Sequence, residues 1–385
     1  MRSTLPSKPS QGIIQTMREA QPDALELAHG RLNFPAFLPD ATWGVVRGVD
    51  ATDLMAVETP ALMMNTFHLV QKPGAMVVNA LGGLHRMSGW PGPIFTDSGG
   101  FQAYSLIQQQ PQRGKITAEG IHYQPEGRQR KFLMTPEKVV EWQLRFGSDV
   151  LFCLDVCTHV DAPLAAQREA VDLTVAWARR SKVAYQRWLD HHPLENGTRP
   201  LIFAVIQGGG SLELRRQCAE ALLEIGFDGF GFGGWPLDRQ GRLLTDILAW
   251  VRECVPPRFP LHALGIGHPQ NLVSGYHLGY GLFDCAMPTR DARHGRLYRF
   301  TTWPPRPDPE DESWWEFVHM DNDRLTRQDQ PISPYCDALC CRHYSAGYLR
   351  HLYLLGDGLY QRLATIHNLR FMHQLSAVLR QGGRT

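Results

Sequence analysis

Four apolar runs in this chain each end in one polar residue, and that repetition limits the folds open to it. Ile94-Phe95-Thr96 leads to Asp97, Leu151 to Leu154 leads to Asp155, Leu201 to Ile206 leads to Gln207, and Leu282-Phe283 leads to Asp284. A single strand ending in an acid is commonly a turn or a helix N-cap. Four in series are not explained that way. In an α/β barrel the C-terminal ends of the strands converge on one mouth, where catalytic residues sit.

The rest of the chain supplies the other strands. Ala36–Pro39, Ala61–Met64, Gly229–Phe232 and His262–Ile266 read as strands one, two, six and seven. Helical spacing of apolar residues marks Pro136–Arg145, Arg168–Leu189, Leu212–Ile225 and Leu243–Val251. Eight strand–helix units predict a closed parallel barrel of the (β/α)8 TIM type. Two segments break the rhythm. Gln108–Lys131 predicts a small antiparallel excursion, and Trp303–Pro334 an extended connection into a cysteine cluster. Tyr344–Leu379 predicts helix with a break at Gly356-Asp357-Gly358. The expected organisation is an arm at 1–24, a barrel at 25–302 and a C-terminal helical subdomain at 303–385.

Composition narrows the class further. The 385 residues hold one barrel of about 250 residues and an appendage. Apolar runs are broken by Gly, Pro or charge, which argues against a membrane span. Met1–Gln11 is polar and lacks the apolar core of a secretory signal, so a cytoplasmic location is expected. Cys336, Cys340 and Cys341 cluster, and in a reducing compartment that suggests metal before disulfide. A net charge of +1 announces no polyanionic partner. Locally, Arg290, Arg293, Arg296 and Arg299 recur every third residue opposed only by Asp291, and Arg362, Arg370, Arg380 and Arg384 follow Asp357 with no acid. The first run lies just after Asp284, where a polyanion would need neutralising.

The ordered motifs carry a resemblance. They are Asn65-Thr66-Phe67-His68-Leu69, Thr96–Gln102, Gly147-Ser148-Asp149 through Cys157, Val205–Gly209, Gly265-Ile266-Gly267, Phe283–Arg293 and Tyr344-Ser345 to Asn368. From Leu25 to about Phe371 the chain resembles the tRNA-guanine transglycosylases, in their bacterial queuosine-pathway form. The resemblance implies a TIM barrel with a C-terminal zinc-binding helical subdomain, and exchange of guanine at the tRNA wobble position for a 7-deazaguanine. A DNA-acting relative or a non-catalytic partner subunit are the alternatives. It implies Asp284 as covalent nucleophile and Asp97 as general acid/base. Asp155 and Gln207 would read the guanine edge, with Ser98, Gly233, Gly234 and Gly265 around it. Phe101 and Leu264 would sandwich the ring, and Arg290 and Arg293 would hold tRNA phosphates. A homodimer is expected. His68, near the mouth, is expected to be a packed histidine.

The chain departs from the family at two places. The zinc pattern Cys-x-Cys-x-x-Cys plus a distant histidine maps onto Cys336, Cys341 and His367, but Ala338 stands at the middle position. Cys340 is the expected fourth ligand, with His343 a weaker candidate; a three-ligand site or a site replaced by packing stay open. In the base-pocket loop, Trp235-Pro236-Leu237-Asp238-Arg239 replaces a stretch that ends in Glu, and Val156 replaces another Glu after Asp155. Arg239 would repel a cationic base substituent unless Asp238 takes the acid's place.

Overall fold

A computed structural model describes residues 21–125, 131–193 and 197–382. Eight short strands form one parallel sheet: β1 Ala36–Pro39, β2 Leu62–Asn65, β3 Ile94–Asp97, β4 Val150–Phe152, β5 Leu201–Ile206, β6 Gly229–Phe232, β7 Leu261–Ala263 and β8 Leu282–Cys285. β1 pairs with β8, the order then runs back to β2, and a parallel bridge from Asp40 to Met63 joins the two ends. The sheet thereby closes on itself as a (β/α)8 barrel.

Strand alternation decides what each strand presents at its end. On β5, Phe203 and Val205 pack inside the barrel with Phe95, Phe152 and Leu282, while Ile202, Ala204 and Ile206 face the helices. Side chains two positions apart share a face. Asp97 therefore follows Phe95 inward, Gln207 follows Val205, and Asp284 follows Leu282. Below the mouth the interior is lined by Phe95, Phe152, Phe203 and Leu282, with His262 buried among them.

The opposite mouth is plugged. A hairpin of Ala24–Leu27 and Gly30–Asn33 inserts Leu27 and Leu32 into the interior cluster. Asp149 ties the hairpin to the barrel, accepting from His29 N at 3.1 Å, His29 Nδ1 at 2.9 Å and Ile94 N at 2.8 Å. His85 stacks on His29 at 3.6 Å and approaches the second carboxylate oxygen at 3.3 Å. Burial pushes the Asp149 carboxyl up, but bonds from His85, Ile94 and His29 outweigh it and hold it below the usual range.

The helices Pro136–Arg145 and Leu212–Ile225 lie where apolar spacing places them. The longest barrel helix runs Leu164–His191, starting earlier than expected, directly after Pro163, a residue tolerated at helix starts. Helix Thr245–Cys254 starts later, because Leu243 pairs with Leu237 in an antiparallel bridge. β7 ends at Ala263 rather than Ile266, since Gly265 turns the chain at φ +79°. The excursion is a three-stranded antiparallel sheet, Gly114–Thr117, Gly120–Tyr123 and Phe132–Met134.

One expectation about the connection fails. Trp303–Pro334 is not simply extended: Trp315–His319 pairs antiparallel with Arg296–Phe300, and Asp323–Leu325 forms a 3-10 turn. Helices Ala346–Leu355 and Gly358–Gly382 follow, broken near Gly356 as expected. The last helix packs back on the barrel, with Arg380 donating to Pro35 O at 2.6 Å. Most of the expected arm, residues 1–20, lies outside the described residues; Gln21 Nε2 bonds Gly279 O at 2.9 Å.

Candidate active site

A cavity of about 390 Å³ opens at the C-terminal mouth of the barrel. Asp97 and Asp284 line it together with Ser98, Phe101, Asp155 and Gln207. Gly233, Gly234, Leu264 and Gly265 complete the set expected from sequence.

Asp97 closes β3 and is gripped from the neighbouring strand end. Its Oδ2 accepts from Asn65 Nδ2 at 2.6 Å, and its Oδ1 accepts from Thr66 N at 3.2 Å and Gly99 N at 3.1 Å. Gly99 is required here. Its φ is +75°, and a Cβ would lie 2.5 Å from Phe67 Cβ. Burial pushes the Asp97 carboxyl up to about 7, against the bonds from Thr66 and Asn65 and with help from the charges of Asp284 and Asp40.

Asp284 ends the inward face of β8. Its Oδ1 lies 2.8 Å from His262 Nε2 and accepts from Gly265 N at 3.3 Å. Asp155 lies beyond β4. Gln207 Nε2 donates to its Oδ2 at 2.6 Å, and Ser98 Oγ reaches its Oδ1 at 3.4 Å. Burial raises this carboxyl to about 6, in spite of those bonds. Gln207 Oε1 is buried and has no hydrogen-bond partner among the described residues. Gly233 makes room for the amide, since a Cβ there would sit 2.4 Å from Gln207 Nε2. The turn after β5 is fixed from beneath by Arg215. This wholly buried residue donates to Ile206 O at 2.7 Å and Gly209 O at 3.0 Å and lies over Phe232.

The wall opposite carries no acid. Trp235, Pro236 and Leu237 line the cavity, and Trp235 meets Phe101 edge-on at 5.1 Å. The chain then turns away through the Leu237–Leu243 bridge. Arg239 does not face the cavity, contrary to the sequence reading: its guanidinium pairs with Asp161 at 2.7 Å on the surface. Asp238 is also absent from the lining, bound by Arg242 Nε and by the N–H groups of Gln240 and Arg242, each at 2.9 Å.

The arginines sort differently from their spacing. Arg296 is spent on Asp291 at 2.6 Å and Arg299 on Glu316 at 2.6 Å. Arg362 binds Asp53, and Arg370 binds Asp337 and Glu58, so these two staple the last helix to its surroundings. Arg384 lies outside the described residues. Arg290 is exposed, and Arg293 is half-buried with its Nη1 unpartnered among the described residues. Burial lowers the Arg293 guanidinium, as do the charges of Arg47 and Arg290. Arg47, Arg290 and Arg293 therefore gather beside the chain that leaves Asp284, with the charge of Asp40 acting on Arg293 in the opposite direction. Arg47 was not singled out from sequence. His68 packs as expected, its ring 4.7 Å from Trp43 and its pKa lowered by burial.

Away from the cavity, Cys336, Cys340, Cys341 and His367 converge, with all ligand atoms within 4.8 Å of one another. Helix Leu339–His343 starts directly after Ala338 and turns Cys340 inward beside Cys341 at 3.9 Å. Cys341 Sγ lies 3.3 Å from His367 Nδ1, and His367 Nε2 bonds Tyr298 O at 2.7 Å, which leaves Nδ1 as the ligand atom. His343 is exposed and outside the cluster. A buried Cys3His set of this kind can hold a metal ion.

Fold and site together define a TIM-barrel protein with two carboxylates at strand ends, Asp97 and Asp284, on one cavity at the C-terminal mouth. The family model described as Queuine tRNA-ribosyltransferase matches residues 18–382, and the chain belongs to that family. Its relatives include the queuine tRNA-ribosyltransferase of Solidesulfovibrio magneticus, 36% identical over 376 residues, covering 98% of this chain and 92% of the relative. That of Psychrobacter cryohalolentis is 34% identical, covering 97% and 91%. That of Pasteurella multocida is 36% identical, covering 90% and 83%. Among the described residues no helix is long and apolar enough to cross a membrane.

Proposed function

We propose that this protein exchanges guanine at the wobble position of tRNA for a 7-deazaguanine through a ribosyl–Asp284 intermediate. The observation that carries the reading is the pair of acids on one cavity in contrasting environments. Burial raises the Asp97 carboxyl to about 7, and among the described residues the donors to Asp284 fall on one oxygen, Oδ1. Asp284 forms a bond to C1′ of the ribose as the C1′–N9 bond breaks and its electron pair passes to N9. Asp97 supplies a proton to the departing guanine and recovers one from the incoming base. Gln207 and Asp155 read the guanine edge between the faces of Phe101 and Leu264, Gln207 leaving Asp155 when the base enters. Ser98, Gly233, Gly234 and Gly265 frame it. Arg290, Arg293 and Arg47 neutralise phosphates of the anticodon loop. The protein works in the cytoplasm as a homodimer, built as an arm (1–24), a catalytic barrel (25–302) and a subdomain (303–385). The test is incorporation of labelled guanine into unmodified tRNA and into duplex DNA. Incorporation into tRNA alone supports the reading; incorporation into DNA alone replaces it.

Zinc is the ion for the Cys3His cluster, with Cys340 in place of the absent ligand at Ala338. Its role is to fasten the C-terminal helices, remote from the chemistry. Metal analysis should give about one zinc per chain. Cys340→Ser should lower that content and the Tm while leaving the KM for the base unchanged. A metal-free protein of equal stability would remove zinc from the account.

The incoming base bears an uncharged group at position 7. An ammonium buried against Trp235, Pro236 and Leu237 would find no acid, since Asp238 is occupied by Arg242. Competition binding should rank the 7-cyano base at or above the 7-aminomethyl base. Tight preference for the aminomethyl base, abolished by Asp238→Ala, would show that the loop rearranges to supply a carboxylate.

A further inference from the structure

We propose that His262 is the positioning residue for the nucleophile: through its Nε2–H it fixes which Asp284 oxygen attacks and at what angle. The inference rests on Asp284 being the nucleophile. His262 lies on β7, wholly buried inside the barrel, with Phe95 at 6.0 Å and Phe152 at 5.5 Å edge-on to its ring. Nothing in that apolar slot needs an imidazole, and Nδ1 has no hydrogen-bond partner among the described residues. A leucine or phenylalanine would fill the same space without leaving a polar atom unsatisfied. Among the described residues the one polar contact of the ring is Nε2 to Asp284 Oδ1 at 2.8 Å.

The tautomer follows from this geometry. Among the described residues Nδ1 faces no acceptor, whereas Nε2 faces a carboxylate oxygen, so the proton sits on Nε2 and is donated to Asp284. Gly265 N donates to the same oxygen. Two donors on Oδ1 pin the carboxylate plane and leave Oδ2 as the oxygen free to form the bond to C1′. As that bond forms and C1′–N9 breaks, His262 keeps its proton. When the incoming base displaces Asp284, the electron pair of the Oδ2–C1′ bond returns to a carboxylate that His262 and Gly265 N already stabilise, so the same contact assists the second half of the exchange.

The test compares His262→Phe, His262→Gln and Asp284→Asn in the full chain, each checked for Tm and zinc content. His262→Phe keeps the ring volume and removes the donor. It should lower kcat by about 10- to 100-fold, the value of a hydrogen bond to a charged group, with KM for tRNA within about twofold. His262→Gln, whose amide N–H can reach the same oxygen, should recover most of the rate. A His262→Phe enzyme with wild-type kcat, or a Gln variant as slow as Phe at unchanged Tm, overturns the proposal. An independent arm leaves position 262 intact: the 15N spectrum of the wild-type imidazole should report an Nε2-protonated ring whose signals shift in Asp284→Asn. An Nδ1-protonated ring overturns it. If Asp284→Asn itself turns over normally, the nucleophile assignment fails; if it is inactive while His262→Phe is unaffected, only the role of His262 fails.

Discussion

Asp284→Asn should fold, bind zinc and bind tRNA like the wild type, yet exchange guanine at least about a thousandfold more slowly. The amide keeps the shape and one oxygen to accept from His262 and Gly265, so the strand end stays in place. It lacks the charge that both attacks C1′ and stabilises the oxocarbenium-like transition state. A steady-state guanine-exchange assay reads the loss. Near-normal turnover would move the chemistry to another group.

The second large effect belongs to Asp97. As the acid for the departing guanine it must carry a proton, and burial places that proton's loss near pH 7. The rate of guanine release should therefore fall as pH rises through 7, while the protonated fraction disappears. Asp97→Asn cannot transfer a proton; its rate should be lower by about two to four orders of magnitude, and the limb near pH 7 should vanish. Coincident pH–rate profiles for wild type and variant would exclude Asp97 from proton transfer.

The barrel was legible because its strands are short apolar runs, and the alternation of Phe95, Val205 and Leu282 carries Asp97, Gln207 and Asp284 onto the inward face. His262 escaped notice because it opens the strand expected at His262–Ile266, whereas the polar residues read as site residues stand at the C-terminal ends of their strands. Its separation of two from Leu264, an expected pocket residue, places both on one face and was the available clue. Arg362 and Arg370 show no acid near them in the sequence because their partners are remote: Asp53 lies 309 positions from Arg362 and Glu58 lies 312 from Arg370. Arg239 and Asp238 were placed by linear correspondence with a family pattern, and a hairpin closed by Leu237 and Leu243 takes both away from the cavity. Cys340 went the other way. A single turn of helix after Ala338 brings an out-of-register cysteine into the cluster. The strand Trp315–His319 was hidden by the Pro- and Asp-rich flanks around it.

The most direct test of a ribosyl–Asp284 intermediate is to denature the enzyme during reaction with unmodified tRNA and no 7-deazaguanine, then map any protein–RNA adduct by mass spectrometry. Covalent catalysis by Asp284 predicts a ribosyl ester on the peptide containing Leu282-Phe283-Asp284-Cys285, absent from Asp284→Asn and discharged when the 7-deazaguanine is added before denaturation. An adduct on Asp97, or rapid exchange with no adduct at any time point, would contradict it.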